Sequence, residues 1–189
     1  ISLETALCVA SGEKLFGHFR TQKRPVLYTA IEDGEERVAR RLKMLGALER
    51  LDNDFDRSMF RVNFGMEGYS EGLEFIQHEQ GLWIPDPLSE AVAAANLDEN
   101  KMGDMTRFFK PIRDANQASK SATAIPHHMR KAGDVMRGST AIAAAGDGWL
   151  ELFPHKTVQG VMVVKWTTRD SDPGQIHVKM NFENGRMSF

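Results

Sequence analysis

Apolar and polar positions along this chain change period repeatedly, from the 3.6-residue spacing of a helix to short continuous apolar runs. In "SLETALCVASG", Leu3, Ala6, Leu7 and Ala10 fall on one helical face, and Gly12 is a helix stop. "RPVLYTAIEDG" then holds an uninterrupted apolar run from Val26 to Ile31, which predicts a buried strand ending in two acids and a glycine. "EERVARRLKMLGAL" returns to helical spacing, with Val38, Leu42, Leu45 and Leu48 on one face and arginines on the others. "MFRVNFG" predicts a strand, "YSEGLEFIQHEQ" a short helix and "GLWIPDPLS" a second buried run ending in an acid. Met102, Met105, Phe109 and Ile112 space a further helix, with a kink or early break expected at Pro111. "SATAIPHH" is a third short strand, and "RGSTAIAAAG" a short helix or turn. Three closely spaced strands, "WLELF", "VMVVKWTT" and "IHVKMNF", follow.

Strands alternating with helices predict an α/β fold with a mainly parallel central sheet, and the last three strands predict an antiparallel extension. No repeat, low-complexity tract or linker interrupts residues 1–189, so a single domain is expected. At 189 residues and 41% hydrophobic, the chain is long enough to bury one sizeable core. A net charge of −2 makes no global demand for a nucleic-acid partner, although a local basic patch remains compatible with it. Cys8 is the only cysteine, which excludes an intrachain disulfide and fits a reducing, cytoplasmic compartment. The apolar runs are too short to span a bilayer, so no membrane partner is expected.

Polar chemistry gathers after three of the predicted strands: Glu32 and Asp33, then Asp86, then His127 and His128. In open α/β sheets, ligands collect at the carboxyl ends of the strands, so this shared position carries more than any one residue. Each residue alone also has a structural reading. An acid after a strand caps a helix, and a histidine fills a hydrogen-bonding niche. Adjacent histidines on a strand point to opposite faces and make a poor chelating pair. No His-x-x-x-His spacing or Cys/His cluster supplies a zinc site. No G-x-S-x-G elbow is present, and Cys8 lies within a helix, so nucleophilic catalysis has no support.

Four segments in order, "VLYTAIEDGEERVARRLKML", "WIPDPLS", "HHMRKAG" and "RGSTAIAAAGDGWLEL", resemble the RecA-like ATPases of the hexameric plasmid replicative helicase type, the RepA-like AAA family. The resemblance covers roughly residues 1–170 and implies ATP and Mg2+ as cofactors. "ISLETALCVASG" looks like the helix that follows a P-loop. No G-x-x-x-x-G-K-[ST] occurs in these residues; the abrupt start of the helix favours a first strand and P-loop upstream of Ile1, and the alternative is that this protein has lost them.

On this resemblance Glu32 orients and activates the attacking water, and Asp86 holds magnesium, generally through water. His128, with His127 beside it, senses the γ-phosphate. Arg130 and Lys131 begin a loop that faces nucleic acid. "NLDENKMGD" would be the second channel loop. Arg137, Lys165 and Arg169 are the candidates for cationic contacts to nucleotide; the alternative for each is a solvated surface charge. Single-stranded DNA and a ring of identical subunits are the implied partners. Two other functions stay open: a non-catalytic nucleic-acid-binding or regulatory protein on a degenerate RecA-like fold, and a nucleotide hydrolase uncoupled from DNA. Pro85 and Pro126 depart from the resemblance: each interrupts a segment expected as a central strand, where proline removes a ladder donor, and the conflict is mild only if each stands at the last strand position.

Overall fold

Helices and strands alternate from Ser2 to Thr123, and only strands follow Gly148. The computed structural model describes residues 1–51, 57–65, 67–128 and 140–189. In order the elements are α1 (Ser2–Ser11), β1 (Val26–Ala30), α2 (Glu35–Met44), α3 (Ala47–Arg50), β2 (Phe60–Phe64), α4 (Glu67–His78), β3 (Leu82–Asp86), α5 (Leu88–Ala94), α6 (Met102–Ser119), β4 (Ala122–Thr123), α7 (Thr140–Ala145), β5 (Gly148–Pro154), β6 (Val161–Thr168), β7 (Gly174–Lys179), β8 (Asn181–Glu183) and β9 (Arg186–Ser188). Among the described residues, no helix is long and apolar enough to cross a membrane.

The first four strands form a parallel sheet in the order β2-β1-β3-β4. All five residues of β1 are buried, as a strand covered on both faces requires. Val26, Tyr28 and Ala30 join Leu82 and Ile84 in one core with α1 and Val38. Leu27 and Trp83 belong to the other core, with Phe75, Ile76, Phe108 and Ile112 from α4 and α6. The result is the expected α/β architecture: two helical layers around a parallel sheet, followed by antiparallel strands.

Prolines decide where β3 and β4 part. The rungs between them include Ala122 N–H to the Gly81 carbonyl and Ala124 N–H to the Trp83 carbonyl, each 2.9 Å. In a parallel ladder the donors alternate between strands, so the next three would be residues 85, 126 and 87. All three are proline. The ladder ends there, and the Pro126 carbonyl instead accepts from Leu88 N–H at 2.8 Å. Both strand prolines are thus accommodated, Pro85 one residue before the end of β3 and Pro126 beyond β4.

Three local expectations are corrected. Leu48 is 86% exposed, because Gly46 adopts φ 67° after α2 and restarts the chain as the separate helix α3. Pro111 neither ends nor breaks α6, which runs on to Ser119. The donor it lacks would have met Arg107, and both residues are exposed, so water can satisfy that carbonyl. The buried ridge of α6 is Met105, Phe108, Ile112 and Ala115, while Met102 is exposed. The strand expected over "IHVKMNF" is two strands, β7 and β8, parted where Met180 N–H bonds the Gly160 carbonyl.

The second sheet, β5-β6-β7, is antiparallel. Its Met162, Val164 and Val178 pack against Phe16, Phe19 and Phe189, with Phe19 edge-on to Trp166 at 5.2 Å. A charged clamp fastens α1 to α3: Arg50 bonds Glu4 at 2.6 Å, Glu13 through Nε at 2.8 Å, and the sulfur of Cys8 at 3.1 Å. Burial, and then the Glu4 carboxylate beside it, push the Cys8 thiol up to about 12, so it stays an inert thiol.

Gly72 of α4 lies against Trp83, where an added Cβ would overlap the indole ring. Gly72→Ala is expected to destabilise the protein by about 1–3 kcal/mol, read as a lower urea midpoint with an unchanged slope.

Candidate active site

Adjacent parallel strands β1, β3 and β4 bring their carboxyl ends to one edge of the sheet. Register pairs Ala30 with Asp86, and Ile31 N–H donates to the Asp86 backbone carbonyl at 3.0 Å. Glu32 therefore begins the segment after β1 beside the end of β3. His127 and His128 follow β4 at the same edge, tied to the start of α5 by the Pro126–Leu88 bond. Glu32 and His128 are exposed; Asp86 and His127 are half-buried.

The two neighbouring acids after β1 have different partners. Asp33 is paired with Arg37 at 2.7 Å and with Arg41, one and two turns along α2. Glu32 makes no ion pair with any described residue, so its carboxylate is free of structural duty. Asp86 accepts a 2.8 Å hydrogen bond at Oδ2 from the hydroxyl of Tyr28, which comes from β1 and is 1% exposed. Burial, and after it the Asp86 charge, raise the Tyr28 pKa far above its ordinary value. The proton in this bond consequently sits on the phenol, and the carboxylate is the acceptor.

The N-terminal end of α1 belongs to the same neighbourhood. Ile1, which precedes its first turn, lies within electrostatic reach of Asp86, Glu4 and Arg41. Arg41 and Asp33 also act on Tyr28. A helix N-terminus, two carboxylates and a guanidinium thus share the carboxyl edge of the sheet, an arrangement suited to an anionic ligand with a cation.

The donor chemistry fits magnesium. Among the described residues, no three His, Cys, Asp or Glu side chains gather into a metal cage. Mg2+ is ordinarily held by one or two carboxylates, with water and substrate phosphates completing the octahedron. Asp86, at the carboxyl end of β3, is a hard oxygen donor of that kind.

Two further sequence candidates lie on or next to the antiparallel sheet. Lys165, on β6, places Nζ 5.2 Å from the centroid of the Phe153 ring. Arg169, beyond β6, pairs with Asp147 at 3.4 Å and bonds the Ala144 carbonyl at 3.2 Å. Arg130, Lys131 and Arg137 lie outside the described residues. Sequence reading passed over Tyr28, Arg37 and Arg41. The usable signal for the arginines was their spacing of four and eight from Asp33, which stacks them on one face of α2. Tyr28 gave no signal beyond being the one polar-tipped ring in an apolar strand.

A protein-family profile described as "AAA domain" matches residues 1–134. No curated protein matches the chain.

Residues 1–189 contain the carboxylates but no glycine-rich phosphate loop. This chain by itself is expected to bind ATP more weakly than micromolar, because loop amides and a lysine supply most phosphate recognition. Calorimetric titration with ATP and Mg2+ checks this, and micromolar binding would require a different pocket.

Proposed function

We propose, from the premise that this chain belongs to the AAA domain family, whose members are typically P-loop ATPases that bind nucleotide, that it is the motor part of a RepA-like ATPase acting on single-stranded DNA. The observation that carries this reading is that Glu32, Asp86, His127 and His128 lie at or beyond the carboxyl ends of three adjacent strands, beside the N-terminal end of α1. In that family the phosphate-binding loop leads into the helix that α1 resembles. The site would be completed between identical subunits of a cytoplasmic ring.

Asp86 would hold Mg2+ through water, and the ion, when bound, would neutralise charge on the transferred phosphoryl group. Glu32, uncommitted to any structural pair, holds the attacking water by a hydrogen bond and takes its proton on a carboxylate oxygen. The helix N-terminus of α1 stabilises phosphate charge, which Asp33 cannot oppose strongly while Arg37 and Arg41 offset it. His128, exposed at the same edge, donates to the γ-phosphate and loses that partner after hydrolysis. His127 supports it from a half-buried position. The chain from these histidines runs directly into Arg130 and Lys131, whose cations would meet the DNA backbone. Arg137, Lys165 and Arg169 would contact nucleotide across a subunit boundary.

Steady-state ATPase of the full-length protein, with and without single-stranded DNA, tests the scheme. Glu32→Gln is expected to slow hydrolysis by roughly 100- to 10,000-fold with nucleotide affinity nearly unchanged, because a transition-state contact is lost. His128→Ala should chiefly abolish stimulation by DNA. Arg130→Glu with Lys131→Glu should weaken DNA binding and reduce its salt slope by about 1.4, the loss of two phosphate contacts. Wild-type protein inactive in both conditions would support the non-catalytic binding protein instead. Hydrolysis indifferent to DNA would leave a nucleotide hydrolase with another partner.

A further inference from the structure

The nucleotide reading assigns Asp86 a metal and leaves Tyr28 without a duty. Tyr28 sits on the fully buried strand β1, paired with Ile84, two residues before Asp86 on β3. Its side chain lies on the same side of the sheet as Ile84 and Asp86, in the core beneath α1. A phenylalanine there would fill the same apolar volume. The hydroxyl adds one thing, a 2.8 Å hydrogen bond to Oδ2 of Asp86. Among the described residues, no other side chain hydrogen-bonds that carboxylate.

A carboxylate at the end of a strand turns about its final torsion unless something holds it, because that torsion is broad and two-fold. One donor on Oδ2 removes this freedom and leaves Oδ1 to bond a metal-bound water. The donor is itself immobile, since a tyrosine ring packed at 1% exposure has no other rotamer open to it. Ile31 N–H holds the backbone of the same residue through its carbonyl, so both ends of Asp86 are anchored to the β1 segment.

We propose that Tyr28 is a positioning residue for the metal-binding carboxylate: its hydroxyl fixes the plane of Asp86 so that one oxygen meets the hydrated Mg2+ of a bound nucleotide. This rests on the nucleotide reading and adds to it a residue that never touches substrate or metal. Partners that orient a metal ligand in this manner are worth ~10- to 100-fold in metal affinity.

Binding of a fluorescent ADP analogue to the full-length protein is titrated first in EDTA and then against increasing Mg2+. Four proteins are compared: wild type, Tyr28→Phe, Asp86→Asn and the double variant, each with a thermal melt to confirm folding. In EDTA all four should bind alike. Tyr28→Phe should raise the Mg2+ concentration for half-maximal enhancement by ~10-fold or more. The same change should have no further effect in the Asp86→Asn background, because the hydroxyl acts only through that carboxylate. Tyr28→Phe with wild-type Mg2+ dependence overturns the proposal alone. So does a Tyr28→Phe effect that persists in Asp86→Asn, or one that is equal in EDTA, since a merely structural role behaves that way. Wild-type protein whose nucleotide binding ignores Mg2+ brings down the metal assignment of Asp86 and this proposal together.

Discussion

The five-rung parallel pairing of β1 with β3 is the interaction on which the rest is arranged. It is buried on both faces, so a slip of β3 by one residue would turn Ile84 out of the α1 core and bring Trp83 into it. Such a slip is prohibitively costly, because Trp83 is enclosed by α4, α5 and α6 and its indole N–H is already given to Thr29 at 2.9 Å. Register therefore fixes which residues stand opposite one another at the carboxyl edge. Ala30 faces Asp86, and Glu32 can only follow beside it. The chemistry inherits its geometry from hydrophobic packing some distance beneath it.

Much of this was open to reading in the sequence, for a physical reason. Buried parallel strands announce themselves as continuous apolar runs, and whatever polar residue ends such a run must lie at the sheet edge. Glu32, Asp86 and the two histidines were located by that reasoning, and the AAA domain family accounts for residues 1–134. What stayed hidden depended on facts that pattern does not encode. Leu48 has helical spacing with Leu45, but the left-handed turn at Gly46 breaks the phase between them. Pro111 looked like a break because proline harms a helix interior, yet its missing bond falls on the solvent face of α6, where it costs least. Tyr28 reads as one more core ring, and only the arrangement of β1 against β3 shows where its hydroxyl ends.

The contrast between Glu32 and Asp33 shows how neighbouring residues of like charge divide labour. Asp33 has its charge spread into two arginines on α2 and serves the start of that helix. Partly exposed pairs of this kind contribute only a few tenths to about 1 kcal/mol each, so stability is a minor part of their effect. Their larger effect is electrostatic. They keep a second bare carboxylate from standing beside Glu32, where the proposed function brings an anionic ligand.

The run of prolines at positions 85, 87 and 126 bears on what the site does before any ligand arrives. A pair of neighbouring strands with free donors tends to zip to its end, and any molecule entering between the ends must first separate them. Here the donors are missing from the covalent chain itself, so there is nothing to separate. The ladder between β3 and β4 ends at Ala124, and the segment bearing His127 and His128 is moored to the first turn of α5 rather than to β3. On the proposed reading, a ligand that enters at this edge would divert none of its interaction energy to prying the strands apart.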